Sequence, residues 1–341
     1  MAPTRNARLF FGEFPTDYPE PGKTTVYDES RTIDLETVAL EGGVLVKTLV
    51  VGIDPYLVGR MQDLGIPGFA FSKGELISYY GVGLILRSEN PAVQPGEHLY
   101  GFIPFQEYNV LPAIDNYKVL KNEEKLPWSV YVGICGMPGQ TGWVGWKEHA
   151  APKEGDVVFV SSGAGPVGSM VIQLAKQAGC KVITCASSDE KVRELTGTVG
   201  ADVAFNYKTT SVFDVLEKEG PINIYWDNVG ADALDAALQN AANGARFIEC
   251  GMIAQLSGPA YTMKNLFMIV KKELKLFGFT INTLLPKYSE EFYREVPKKV
   301  ASGEIRYLED AKQGLKQAGD AIRDVWQGKN RGKSVVIVGE E

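Results

Sequence analysis

The chain has 341 residues, enough for two hydrophobic cores, because single cores stop growing before this length. With 45% hydrophobic and 23% charged residues it has the composition of a folded globular chain rather than a disordered one. Its 35 basic and 42 acidic residues leave a formal net charge of -7, which excludes an overall pull toward nucleic acid, and no stretch approaches the ~20 consecutive apolar residues of a membrane helix.

Residues 1 to about 125 are rich in Gly and Pro and carry short β-like runs, "GVLVKTLVVGID", "YGVGLILRS" and "HLYGFIPFQEYNVL", broken by turn signals such as "NPAVQPGE". A β-rich domain is expected over 1–126. From about 127 the pattern alternates: strand "DVVFVSS", helix "PVGSMVIQLAKQAG", strand "KVITCAS", helix "EKVRELTGTVG", strand "DVAFNY", helix "SVFDVLEKE", strand "INIYWDN", helix "ADALDAALQNAANG" and strand "ARFIECG". Such alternation predicts an α/β domain, a doubly wound parallel sheet of the Rossmann type, over 127–300. The tail, 301–341, follows an amphipathic stretch near 289–304, carries a second near 310–327, and ends in the strand "KSVVIVG"; it is expected to return to the first domain.

The four cysteines (Cys135, Cys180, Cys185, Cys250) lack C-x-x-C spacing, and the opening "MAPTRNARLFFGEF" shows no apolar run followed by a small-residue cleavage site. A reducing cytoplasmic compartment is the expectation. Only two histidines exist, His98 and His149, so neither a catalytic Cys/His zinc set nor a structural cysteine cluster can be assembled, and no metal site is assigned. His98, after "PGE", is expected on a surface turn.

Gly163, Ala164, Gly165, Pro166, Val167 and Gly168 form a complete G-x-G-x-x-G between a predicted strand and a predicted helix. In that setting Gly163 permits the tight turn, Gly165 lets a pyrophosphate approach the backbone at the helix's positive end, and Gly168 lets the helix press on the sheet. About 19 residues beyond Gly168, where an Asp or Glu would grip a bare ribose, the strand tip reads Ala186-Ser187-Ser188. A carboxylate there would repel a 2′-phosphate; small hydroxyls leave room for one, with Lys191 as a compact charge and Tyr207 as a hydroxyl donor. NADPH is the expected cofactor. Asp189 stands against it, unless it caps the helix beginning at Glu190. Without a metal to polarise an alcohol, reduction of a polarised carbon–carbon double bond is the chemistry that fits: hydride adds to the β-carbon, and the enolate oxygen needs only donors, each worth ~2.7–4 kcal/mol by analogy with oxyanion holes.

Nine stretches, "GIDPYLVGRM", "YYGVGLIL", "GMPGQTGWVGW", "VSSGAGPVG", "SDEKV", "FNYK", "YWDNVG", "CGMIAQ" and "GKNRGKSVVIV", in this order and spacing resemble the zinc-independent medium-chain dehydrogenases/reductases, specifically the NADPH-dependent 2-alkenal (alkenal/one, prostaglandin) double-bond reductases. The resemblance covers nearly the whole chain. It implies a GroES-like catalytic domain beside the cofactor domain, and NADPH bound by the glycine turn, by Lys191 and Tyr207 at the 2′-phosphate, and by Asn228, the backbone of Cys250, Gly251, Met252 and Ile253, a strand over 279–281 (Phe279, Thr280, Ile281) and Asn330 nearer the nicotinamide. It also implies a cytosolic homodimer acting on small enals or enones. Two departures stand out: Leu256 where members often carry Tyr, and "GAGPVG" for the more usual "ASGAVG". Tyr261 would either replace the missing hydroxyl or pack on a loop.

Tyr56 and Tyr80 resemble cleft residues that face the substrate carbonyl, and both are candidate catalytic donors; the alternative is that they are interface aromatics with satisfied hydroxyls. Arg60 is expected to anchor a loop. Met137, Phe69 and Phe71 are candidates for an apolar wall, with "MQDLGIPGFAFSKGE" as a loop bounding the pocket. Two competing functions remain at this point, a zinc-free NADPH quinone reductase and a non-catalytic NADPH-binding protein.

Overall fold

The computed structural model describes residues 3–256 and 261–341, with Leu256 described by its backbone alone. The chain divides into two compact units, Met1–Gly133 with Glu309–Glu341, and Ile134–Leu308. The breaks fall seven and eight residues beyond 126 and 300, for identifiable reasons. The short helix Trp128–Val132 belongs to the first unit, where the Ser129 hydroxyl donates to Glu309 at 2.8 Å. Arg306 belongs to the second: its N–H donates to Gln173 at 2.7 Å and its carbonyl accepts from the Gln173 amide at 2.9 Å.

The first unit is built on a sheet in the order Glu309–Gln313, Lys333–Ile337, Val44–Ile53, Ser78–Ser88, His98–Pro104, Lys118–Leu120, with Tyr108–Leu111 also paired to Val44–Ile53. Val44, Val46, Ile85, Leu99 and Leu111 bury one of its cores. The final strand pairs antiparallel with Val44–Ile53, so the C-terminal segment completes this unit. The amphipathic reading near 310–327 needs correction. Glu309–Gln313 is a strand parallel to Lys333–Ile337, Gly314 at φ 82° breaks the run, and only Ala318–Trp326 is α-helical. His98 is not on a turn either; it opens the strand His98–Pro104 with its ring stacked 3.9 Å from Trp128 and Nε2 2.7 Å from Glu341.

The second unit is the doubly wound domain, with a six-stranded sheet in the order Val203–Asn206, Lys181–Ala186, Val157–Val160, Ile222–Asp227, Ala241–Glu249, Lys275–Gly278, all neighbours parallel. Phe159, Ile183, Leu216, Tyr225 and Phe247 are fully buried in its core. The helix expected to run through "NAANG" stops at Gln239. Asn240 turns its side-chain amide and its N–H back to the Ala236 carbonyl, and Lys272 holds the Gln239 and Ala241 carbonyls at 2.7 and 2.8 Å, pulling 241–244 into the strand Ala241–Glu249. The strand placed at 279–281 is also corrected: it is Lys275–Gly278, Phe279 and Thr280 are connectors, and Ile281 opens the helix Ile281–Ala301, which starts eight residues before 289.

Candidate functional site

The strand Val157–Val160 leads through Ser161 and Ser162 into the glycine turn and the 12-residue helix Pro166–Gln177. Pro166 sits in its first turn, where a missing N–H costs nothing, and Gly165 is an N-cap with no side chain closing the helix end. A Cβ at Gly163 would lie 2.0 Å from the Thr184 hydroxyl oxygen, which is committed to the Val160 carbonyl at 2.8 Å. A Cβ at Gly168 would meet the Gly163 Cα at 2.7 Å. At Gly165 it would meet nothing within 4 Å. Two of the glycines are therefore required by packing, and the middle one faces open space above a helix end that no side chain caps, a geometry suited to an anion.

At the adjoining strand tips the parallel register sets Ala186 beside Asn206. Ser187, Lys191 and Tyr207 converge there: Lys191 Nζ lies 3.4 Å from the Ser187 hydroxyl, and the Tyr207 phenol hydrogen-bonds the same serine. Burial raises the phenol's pKa while the serine contact opposes the shift, so the group is a neutral donor. Asp189 does not cap the helix Asp189–Glu194; Ser188 does, accepting from the Lys191 N–H at 3.4 Å. Asp189 is the first helical residue, and its carboxylate takes the Asn206 side-chain amide at 2.8 Å.

The next two strand tips are tied together by Asp227, which sequence reasoning passed over. Its backbone carbonyl accepts the N–H groups of Cys250 and Gly251, both at 3.1 Å, and its carboxylate oxygen Oδ1 accepts the N–H groups of Val229 (2.7 Å) and Gly230 (2.8 Å). Asn228 is engaged by its own protein: its amide donates to the Ser161 carbonyl at 2.7 Å and its oxygen accepts the Trp226 indole at 3.1 Å. It thereby fixes the entry to the glycine turn. Met252 covers Gly230, whose φ is 73°, and Ile253 opens the 3-10 turn Ile253–Leu256 with its N–H on the Asn228 carbonyl at 3.3 Å. Phe279 stands edge-on to Trp226 at 5.9 Å; the Thr280 carbonyl accepts the Thr283 hydroxyl at 2.8 Å. Tyr261 does not pack on a loop; it is tied to the helix Ala231–Gln239, donating to Asp235 at 3.0 Å, and burial with that carboxylate pushes its phenol to about 12.

In the first unit, Tyr56 rides on the helix Pro55–Arg60, stacked on Tyr79 at 5.7 Å, edge-on to Phe69 at 5.5 Å, and 43% exposed. Tyr80 lies 5.4 Å from Tyr100 and 4.6 Å from Phe102, and burial raises its pKa, which keeps its phenol protonated. Arg60 anchors the loop as expected, donating to the Phe69 carbonyl at 2.9 Å. Its guanidinium also covers the Phe71 ring at 3.9 Å, and Phe71 is core rather than pocket wall. Asn330 precedes the last strand, its amide donating to the Gly332 carbonyl at 2.7 Å. Among the described residues no group of three or more His, Cys, Asp or Glu is arranged to hold a metal ion.

Residues 166–299 match the family described as "Zinc-binding dehydrogenase" and residues 25–119 the family described as "N-terminal domain of oxidoreductase". The chain is 38% identical to (+)-pulegone reductase of Mentha piperita over 88% of its own length and 89% of the relative's. It is 35% identical to the NADP(+)-dependent 2-alkenal reductase of Nicotiana tabacum over 98% of both chains. The crystal structure of CurA from Vibrio vulnificus in complex with NADPH superposes with a TM-score of 0.87 at 29% identity, covering 98% of this chain and 100% of that one.

Proposed function

The chain belongs to the zinc-independent medium-chain dehydrogenases/reductases, in the branch of NADPH-dependent double-bond reductases, and from that premise we propose that it reduces the carbon–carbon double bond of α,β-unsaturated aldehydes and ketones. The observation that carries the cofactor half of this reading is the cluster of Ser187, Lys191 and Tyr207 at a strand tip without a carboxylate, beside the open backbone at Gly165. These residues fit NADPH: a cation and two hydroxyls suit a 2′-phosphate, and the uncapped helix end suits a pyrophosphate.

NADPH supplies the hydride that adds to the substrate's β-carbon. The chain's own part is to bind, orient and manage a proton. Val167 and Gly168 hold the phosphates; 228–230 and 250–253, with Phe279, Thr280, Ile281 and Asn330, frame the nicotinamide half. Tyr56 and Tyr80 supply hydroxyls to the enolate oxygen, and Tyr80 or water returns a proton to the α-carbon, a step that needs no strongly shifted pKa. The substrate-binding role belongs to the first unit, and the cofactor-binding role to the second apart from Asn330, which is in the first.

The protein works as a cytoplasmic homodimer. The strand Lys275–Gly278 lies at the edge of its sheet with Leu276 exposed, and Phe267 and Val270, 68% and 72% exposed, precede it; an apolar sheet edge of this kind is suited to a second copy. The four cysteines are free thiols, in keeping with a reducing compartment, and no described helix is long and apolar enough to cross a membrane.

NADPH consumption is measured with a 2-alkenal, a cinnamyl-type aldehyde and a 1,4-quinone. Fast enal turnover with a saturated aldehyde as product is expected, and Tyr80→Phe should lower kcat by about 10²-fold, the scale of one oxyanion donor. Rapid quinone turnover with inert enals, or tight NADPH binding with no turnover of any enone, would defeat the reading.

A further inference from the structure

Asp227 and Glu249 are register partners at the ends of adjacent parallel strands. Asp227 is fully buried. Its Oδ1 is saturated, accepting from Val229, Gly230, the Tyr225 phenol at 2.8 Å and the Ser161 hydroxyl at 3.2 Å. Its Oδ2 and both carboxyl oxygens of Glu249 are buried and meet no donor among the described residues, and neither residue makes an ion pair with Lys, Arg or His there. Two carboxylates cannot share such a place while both are ionised. One proton resolves the arrangement, because a carboxylic acid can donate where a carboxylate can only accept. Oδ1 of Asp227 is already taken by donors while both Glu249 oxygens meet none, so Glu249 is the member placed to hold the proton and donate it to Asp227.

We infer that Glu249, as the neutral acid, is a positioning residue for the cofactor: by completing the hydrogen bonds of Asp227 it locks together 228–230 and 250–253, the segments that hold the nicotinamide half. The ties are on both sides of the pair. The Asp227 carbonyl carries Cys250 and Gly251, and the Asn228 and Val229 carbonyls carry the N–H groups of Ile253 and Ala254. Burial, reinforced by Asp227, pushes the Glu249 carboxyl up to about 8. The other titratable groups that bear on the pair stay neutral: burial raises Tyr225 well above the usual phenol range and pushes the Cys185 and Cys250 thiols to about 12. Loss of the proton sets two buried charges against each other at the point where the strand tips meet.

The inference rests on the NADPH reading, and the test separates the two. NADPH affinity is measured by fluorescence from about pH 6 to about pH 9.5 for the wild type and for E249Q, whose amide can make the same donation. Wild-type Kd should hold to about pH 7.5 and weaken roughly tenfold by about pH 9, as the competent fraction falls, while E249Q follows no such rise. A merely structural role would displace the two curves in parallel, and superimposable or parallel profiles overturn the inference. In the cofactor-free protein, an acid whose pKa is raised on folding keeps a proton that the unfolded chain has released. The Tm of the wild type relative to E249Q should therefore fall between about pH 5 and about pH 8 and level off above. Should E249Q fail to fold, the infrared band of the protonated carboxyl in the wild type decides the matter: it should vanish with a midpoint near pH 8, and its absence at neutral pH overturns the assignment. Failure of the wild type to bind NADPH at any pH would overturn the cofactor reading and the positioning role together, with the infrared titration still reporting where the proton sits.

Discussion

The ammonium of Lys333 lies 2.6 Å from Oδ2 of Asp54 and 2.7 Å from the Ile53 carbonyl, with the lysine side chain only 2% exposed. Burial lowers the lysine pKa, and the facing Asp54 opposes that shift. The pair joins the last strand to the start of the helix Pro55–Arg60, which carries Tyr56. Removing one member leaves the other as an uncompensated buried charge, a loss of about 3–5 kcal/mol. Lys333→Met should show that loss in urea denaturation, and the double change Lys333→Met with Asp54→Leu should recover most of it. A single variant as stable as the wild type would mean that the charge is not buried as described.

The three glycines of the turn should separate folding from binding. Gly163→Ala drives a Cβ to 2.0 Å from a hydroxyl already committed to the Val160 carbonyl, so overpacking of about 1–3 kcal/mol is expected in denaturation. Gly165→Ala meets no protein atom within 4 Å, and its φ of -80° suits alanine, so its stability should stay within about 0.5 kcal/mol of wild type. Its NADPH affinity should nonetheless fall, because the added methyl occupies the space the pyrophosphate needs. Equal NADPH affinity in Gly165→Ala and wild type would remove the phosphates from this turn.

The alternation that predicts the parallel sheet is a local signal, and so is the glycine turn, where the run from Val157 to Gln177 carries its own punctuation. The cluster of Ser187, Lys191 and Tyr207 is legible because strand tips in a parallel sheet fall side by side once each strand is found. What lay beyond reach depended on distant partners. "EDAKQ" has no β character of its own and becomes a strand because Lys333–Ile337 offers a parallel edge. Residues 241–244 read as helix until Lys272, far along the chain, takes the carbonyls of Gln239 and Ala241. The adjacency of Asp227 and Glu249 requires the strand order, which periodicity does not supply, although two consecutive strands each ending in an acid were visible as a pattern. Phe71 reads as a pocket wall in sequence because nothing local announces that Arg60 lies over its ring.

The proposed selection of NADPH is tested most directly at Lys191. Its ammonium is 3.4 Å from the Ser187 hydroxyl, on the first turns of a helix whose start is set by Ser188, so its head is held near the strand tip instead of sweeping through solvent. A 2′-phosphate placed there gains a charge-assisted contact, worth ~1.5–3 kcal/mol, and loses it when the side chain is cut back. Lys191→Ala should weaken NADPH binding by about that amount, read as Kd by fluorescence titration, while NADH, which lacks the phosphate, should bind with nearly unchanged affinity. Raising the salt concentration should shrink the difference between variant and wild type, since the lysine is partly exposed and screened. Because Asp189 is held by Asn206, Asp189→Ala tests the opposite sign: it should leave NADH binding unimproved and NADPH binding equal or slightly tighter. Losses of equal size for both cofactors in Lys191→Ala would mean that the lysine supports the fold of the strand tip and does not read the phosphate.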